Sequence, residues 1–112
     1  MPDKKPDLRE KDLETLRRIF ARFPCIREVR LFGSRANGNA GRTSDIDLAV
    51  FAPDADDRTW ARIVEAVENA PIIHEIDLVR FESTTCSSLR GKIERDGIAI
   101  AQGNLPTWLI PT

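Results

Sequence analysis

Residues 31–51 read LFGSRANGNAGRTSDIDLAVF, and their order decides the fold. An apolar strand runs into a Gly33-Ser34 turn, a short helix start and a polar loop. A second strand follows, and it carries Asp45 and Asp47. Side chains on a strand alternate with a period of two, so both carboxylates point to one face. Ile46, Leu48 and Val50 point to the other face and can hold the strand on a core. Two carboxylates side by side repel at neutral pH unless a cation sits between them. A divalent metal is the natural candidate, and oxygen-only ligands favour magnesium or manganese.

Upstream, Pro2 and Pro6 bracket a charged segment, so residues 1–6 are expected to be a frayed end. Asp7 is placed to cap a helix, with Glu10 as its capping-box partner. Leu13, Leu16, Ile19, Phe20 and Phe23 then share one helical face. Arg17, Arg18 and Arg22 fall in the last turns, where cations suit the helix dipole, and Pro24 ends the helix. Its arginines read as a solvated face. The first strand is expected over residues 26–32, with Val29 and Leu31 on one side.

Gly33 permits a tight turn and close backbone approach by a ligand. Ser34 can cap the helix that follows, and free N–H groups there make an anion site. The loop 37–44, rich in Gly, Asn, Arg and Thr, is expected to be exposed and mobile. Residues 54–57 form a polar turn into a helix whose Trp60, Ile63, Val64 and Val67 should face the core. Residues 69–71 end it.

Residues 72–80, IIHEIDLVR, read as a third strand. Ile73, Glu75, Asp77 and Val79 share one face; Ile72, His74, Ile76 and Leu78 share the other. Asp77 is an acid amid apolar residues, and an acid within a buried strand needs a function; an exposed edge strand would carry it without one. Glu75 reads as exposed or supporting. His74, the chain's one histidine, lies on the opposite face from Asp77, which argues against catalysis. A last helix over residues 84–96 turns Leu89 and Ile93 inward and stops at Gly97. A short strand over residues 98–101 closes the sheet. The tail 103–112, GNLPTWLIPT, holds Trp108, Leu109 and Ile110 between prolines and is expected to fold back or to dock on a partner.

The chain has 112 residues, 41% hydrophobic and 31% charged, which fits one globular domain over 1–112 with a modest core. A net charge of −1 argues against a broad non-specific nucleic-acid surface, and no sequence-specific one is expected. Cys25 and Cys86 lack metal-ligand spacing and read as reduced thiols. The N-terminus has no signal-peptide core, and no run approaches the length of a membrane span. A cytoplasmic protein is expected.

The elements add up to a phosphate-binding turn, a carboxylate pair on the next strand and a third acid on a later one. That set suits metal-assisted phosphoryl or nucleotidyl transfer, in which two ions about 3.5–4 Å apart clamp the attacking and leaving oxygens. At these residues, Gly33-Ser34, Asp45-Ile46-Asp47 and Asp77, the sequence resembles the DNA polymerase β nucleotidyltransferase superfamily. It is more closely similar to the superfamily's minimal members, the MntA-like antitoxins, over roughly residues 8–101. The resemblance implies an α/β fold of the α+β kind, with a small mixed sheet and helices packed on one face. It implies a Mg2+-dependent enzyme, with Mn2+ as a substitute, that moves a nucleoside monophosphate from ATP or another triphosphate to a hydroxyl. Asp45 and Asp47 would hold both metals and Asp77 the nucleophile's metal; Gly33, Ser34 and Arg35 would bind the nucleotide. Close relatives usually read Gly-Ser-Arg-Ala-Arg-Gly here, and Asn37 stands in place of their second cation.

The resemblance also implies a HEPN-class, HepT-like toxin as partner, silenced by AMP on a tyrosine, and it leaves room for a homo-oligomer. A glycosyltransferase with a DxD motif needs a larger sugar-nucleotide domain than this length allows. An aminoglycoside-type nucleotidyltransferase needs a helical acceptor domain after the sheet. An antitoxin that acts by contact alone is the alternative from another class, and the presence of all three acids weighs against it.

Overall fold

The structure, a computed structural model, describes residues 7–37 and 45–102. The expected loop 38–44, the end 1–6 and the tail 103–112 lie outside the described residues. In chain order the elements are α1 (Glu10–Phe20), β1 (Glu28–Phe32), α2 (Ser34–Asn37), β2 (Ile46–Phe51), α3 (Asp57–Glu68), β3 (Ile76–Arg80), a 3-10 turn (Phe81–Ser83), α4 (Ser87–Asp96) and β4 (Ile98–Gln102). The strands form one mixed sheet in the order β3-β2-β1-β4. β1 pairs antiparallel with both β2 and β4, and β2 pairs parallel with β3.

Strand alternation sorts the core into two parts. Val29, Leu31, Ile46, Leu48 and Val50 face α1 and α3, where Leu16, Ile19, Phe20, Ile63 and Val67 are buried against them. Trp60 packs at the edge of this cluster. The opposite face carries Phe32, Ala49 and Phe51, which meet Phe81 and Ile93. The layer expected on one face is therefore α1 with α3, and α4 adds a cover on the other. The physical reason lies in the far half of that second face, where Ala49, Phe51 and Val79 are apolar and need burying. The Phe51 and Phe81 rings stack at 4.1 Å, and the Arg90 guanidinium lies 4.2 Å over the Phe81 ring. Arg30 donates to the carbonyls of Ile93 and Glu94 in the last turn of α4, where a cation suits the dipole.

Several boundaries differ from the expectation: β1 begins at Glu28 rather than at residue 26, and α1 ends at Phe20, before Phe23 and Pro24. α1 begins at Glu10, and its N-cap is Arg9 without a side-chain cap bond, so Asp7 does not cap it. The Asp7 N–H instead donates to the Arg35 carbonyl at 3.1 Å, which pins that segment to α2. β3 begins at Ile76 and α4 at Ser87, each several residues later than the patterns indicate. α3 starts as expected: the Asp56 carboxylate accepts from the Thr59 N–H at 2.7 Å. No helix among the described residues is long and apolar enough to cross a membrane.

Candidate active site

β1 and β2 run antiparallel, so the turn that leaves β1 lies against the start of β2. The register pairs Phe32 with Asp47. β2 and β3 run parallel, and their register pairs Asp47 with Asp77. Neighbouring strands lie about 4.8 Å apart. The topology thus brings Gly33, Asp45, Asp47 and Asp77 to one end of the sheet. An Ile46 N–H bond to the Glu75 carbonyl, 2.9 Å, carries the pairing of the two strands to the edge of Asp45. Asp45 and Asp77 are exposed, and Asp47 is half-buried.

Gly33 has a φ of +77°, a left-handed conformation that L side chains rarely adopt. A Cβ built there would collide with Oδ2 of Asp47 and lie 3.3 Å from its Cγ. The glycine therefore serves twice: it makes the turn, and it leaves room for the carboxylate to rest on the turn's main chain. The Ala36 N–H closes the turn on the Gly33 carbonyl at 3.0 Å, and Ser34 opens α2, half-buried. Asn37 is the last residue of α2.

The Asp47 carboxyl is pushed above the ordinary carboxylate range, first by partial burial, then by the charges of Asp77 and Asp45. All three causes act in the same direction, and the last two put Asp77 and Asp45 within electrostatic reach of Asp47. Among the described residues, no three His, Cys, Asp or Glu side chains are already gathered into a metal-ligand shell. The donor set nonetheless suits a hard divalent cation: three carboxylates, oxygen donors only, and a charge on Asp47 that its neighbours disfavour.

Arg35 follows Ser34 directly, and the structure turns it inward. Its side chain is buried, donates to the Asp7 carbonyl at 2.9 Å and lies 3.4 Å from Nδ1 of His74. His74 therefore has a place in the packing beside α2, and Glu75 is exposed. Phe32 was not among the expected site residues. It is buried and stands opposite Asp47 in the β1–β2 register, on the same sheet face. Its position just before the Gly33 turn was the available signal.

A cleft of about 850 Å3 between α1 and α3, lined by Arg18, Arg22 and Arg62 among others, does not reach the acids. A smaller one of about 460 Å3 includes Asp77 in its wall.

The family model described as polymerase beta, nucleotidyltransferase matches residues 14–104. The chain belongs to the polymerase beta nucleotidyltransferase family. It is a nucleotidyltransferase domain, and solved structures of similar fold are toxin–antitoxin pairs. A toxin–antitoxin structure with AMP-PNP matches at 24% identity over 80% of this chain and 72% of that one, with a TM-score of 0.65. A mutant of the toxin–antitoxin MntA-HpeT matches at 24% identity over 83% and 72%, with a TM-score of 0.60. A second mutant of that pair matches at 27% identity over 82% and 71%, with a TM-score of 0.59. No curated protein matches the sequence.

Proposed function

We propose that this nucleotidyltransferase moves AMP from ATP to a hydroxyl, a tyrosine, of a HEPN/HepT-like toxin and so acts as its antitoxin in the cytoplasm. The observation that carries the reading is the convergence of the Gly33 turn with Asp45, Asp47 and Asp77 at one end of the sheet. Family membership supports the reaction type. The likeness to MntA-HpeT at 27% identity supports the partner class.

In this reading Gly33 and Ser34 receive the triphosphate on exposed main chain. Asp45 and Asp47 would hold Mg2+, two ions by the family's pattern, with Asp77 completing the shell nearest the acceptor. Held by these residues, Mg2+ would supply positive charge against the phosphates and would make the acceptor hydroxyl more acidic. The acceptor oxygen attacks the α-phosphorus, the bond from that phosphorus to the bridging oxygen breaks, and pyrophosphate leaves with the electron pair. The hydroxyl proton passes to the exposed Asp77 carboxylate and on to solvent.

The test is incubation with labelled ATP, Mg2+ and the protein encoded by the neighbouring reading frame, followed by mass spectrometry of that protein. An added AMP that disappears with Asp47→Asn is the expected result. A partner that is bound and neutralised with no added nucleotide overturns the transfer reading.

A further inference from the structure

We propose that the cleft beside Asp77 receives the acceptor, and that it selects a protein segment whose reacting hydroxyl is flanked by an apolar and a basic side chain. This rests on the nucleotidyltransferase reading and names the chemistry of its second substrate. The cleft is walled by the end of α3 at Val67 and Glu68 and by the chain leading into β3, up to Asp77. Asp77 thus belongs to both the acid trio and the cleft.

The chain between α3 and β3 is irregular but held. Asn69 donates to the Glu65 carbonyl at 3.0 Å, and Ile72 to the Ala70 carbonyl at 2.8 Å. The Glu75 carbonyl accepts from Ile46, and His74 lies against Arg35. This fixed segment displays Ile73, which is 82% exposed and alone among the large hydrophobic residues described in being so. A single exposed isoleucine is ordinary on a surface. Here it stands in the wall of a cleft shared with the third acid, where it gives an apolar contact to an entering chain.

The charges of the cleft have one sign. Glu68 and Glu75 are exposed carboxylates that no metal role claims, and among the described residues neither has an ion-pair partner. Complementarity calls for Lys or Arg on the occupant. A polar polycationic small molecule would use the acids but gain nothing from Ile73. A peptide segment uses both.

Two short fluorescein-labelled peptides test this on the full chain by anisotropy. Each carries one tyrosine beside a leucine, flanked in one by arginines and in the other by glutamates. The arginine peptide is expected to bind about tenfold more tightly or better. Ile73→Asp and Glu68→Lys should each weaken it several-fold. Neither disturbs the fold: Ile73 buries little, and a lysine in the last turn of α3 suits the dipole. Glu94→Lys on α4 makes the same charge change away from the cleft and should leave binding unaltered. Equal binding of the two peptides, or cleft variants that behave like Glu94→Lys, overturns the proposal. Mass spectrometry of the arginine peptide after incubation with Mg2+ and ATP reads the reaction separately. A peptide held at the cleft but never modified counts against the transfer reading and leaves the cleft's selectivity standing.

Discussion

Gly33 lies so close to Asp47 that a single added carbon on the glycine would overlap the carboxylate. The turn and the acid are one unit, although 13 positions separate them and they belong to different elements. Gly33→Ala is therefore expected to act at two levels. The left-handed backbone alone costs an L residue about 1–2 kcal/mol. The collision then moves Asp47, so stabilisation by Mg2+ with ATP should be lost beyond what the lower melting point explains. Thermal melts with and without both ligands measure this. A variant with an unchanged melt and an unchanged ligand shift would show that the turn does not position the acid.

Asp47→Asn is expected to stabilise the metal-free protein while abolishing transfer. The Asp47 carboxyl is raised in the folded state by burial and by Asp77 and Asp45. Between the unfolded value and the raised folded value, the native state binds more protons than the unfolded state. Stability from this group therefore falls as pH rises through that window, and the charge is a net cost at neutral pH. The asparagine removes both the cost and the slope. Urea titrations between pH 4 and 7 in EDTA read the difference. A variant less stable than the parent at pH 7 in EDTA would remove the repulsion argument.

Asp56 should behave with the opposite sign. Its carboxylate is held below the ordinary range, first by the Thr59 side chain and then by the Thr59 N–H, which donates to it at the start of α3. Stability from this cap is fully present above the unfolded value and is lost as pH falls through the lower folded value. Asp56→Ala should lower the melting point at pH 7, and the gap from the parent should close in acid. A constant gap at every pH would assign the effect to something other than the charged cap.

The contrast between β2 and β3 shows what the sequence makes legible. In β2 the alternation of Asp47 with Ile46 and Leu48 is enforced on both faces, because the strand is interior to the sheet and buried on its apolar side. Period two is then enough to place the acid. In β3 the same alternation extends back to Ile72, but pairing begins only where Ile76 meets Ile46. After Pro71 and the Ile72–Ala70 bond, residues 72–74 stay apart from the ladder, and nothing local announces it. Asp77 is accordingly an exposed acid on an edge strand; its partnership with Asp47 comes from the parallel register, a long-range fact. Arg35 illustrates the same limit. Its place after Ser34 points to phosphate, whereas its partners Asp7 and His74 come from distant parts of the chain. The side of the sheet taken by α4 was also beyond local reading, since it depends on which face still has apolar residues to cover.

Mg2+ and ATP together are expected to stabilise the protein far more than either does alone. Three carboxylates that repel one another have little room for a triphosphate without a cation between. The Gly33-Ser34 turn has little to hold a cation without the phosphates. Each ligand therefore supplies what the other's site lacks, and the free energies of binding are coupled rather than additive. A ligand that binds only the native state raises stability by roughly 2.7 kcal/mol at a hundredfold excess over its Kd. Melts with neither ligand, each alone and both together give the four values needed to extract the coupling. With Asp47→Asn the coupling should vanish, while any weak effect of ATP alone persists, because the turn's main chain is untouched. Mn2+ should replace Mg2+ in the coupled term, since both prefer oxygen donors. Equal shifts for Mg2+ with and without ATP would mean that the acids and the turn bind independently, and the shared site would have to be abandoned.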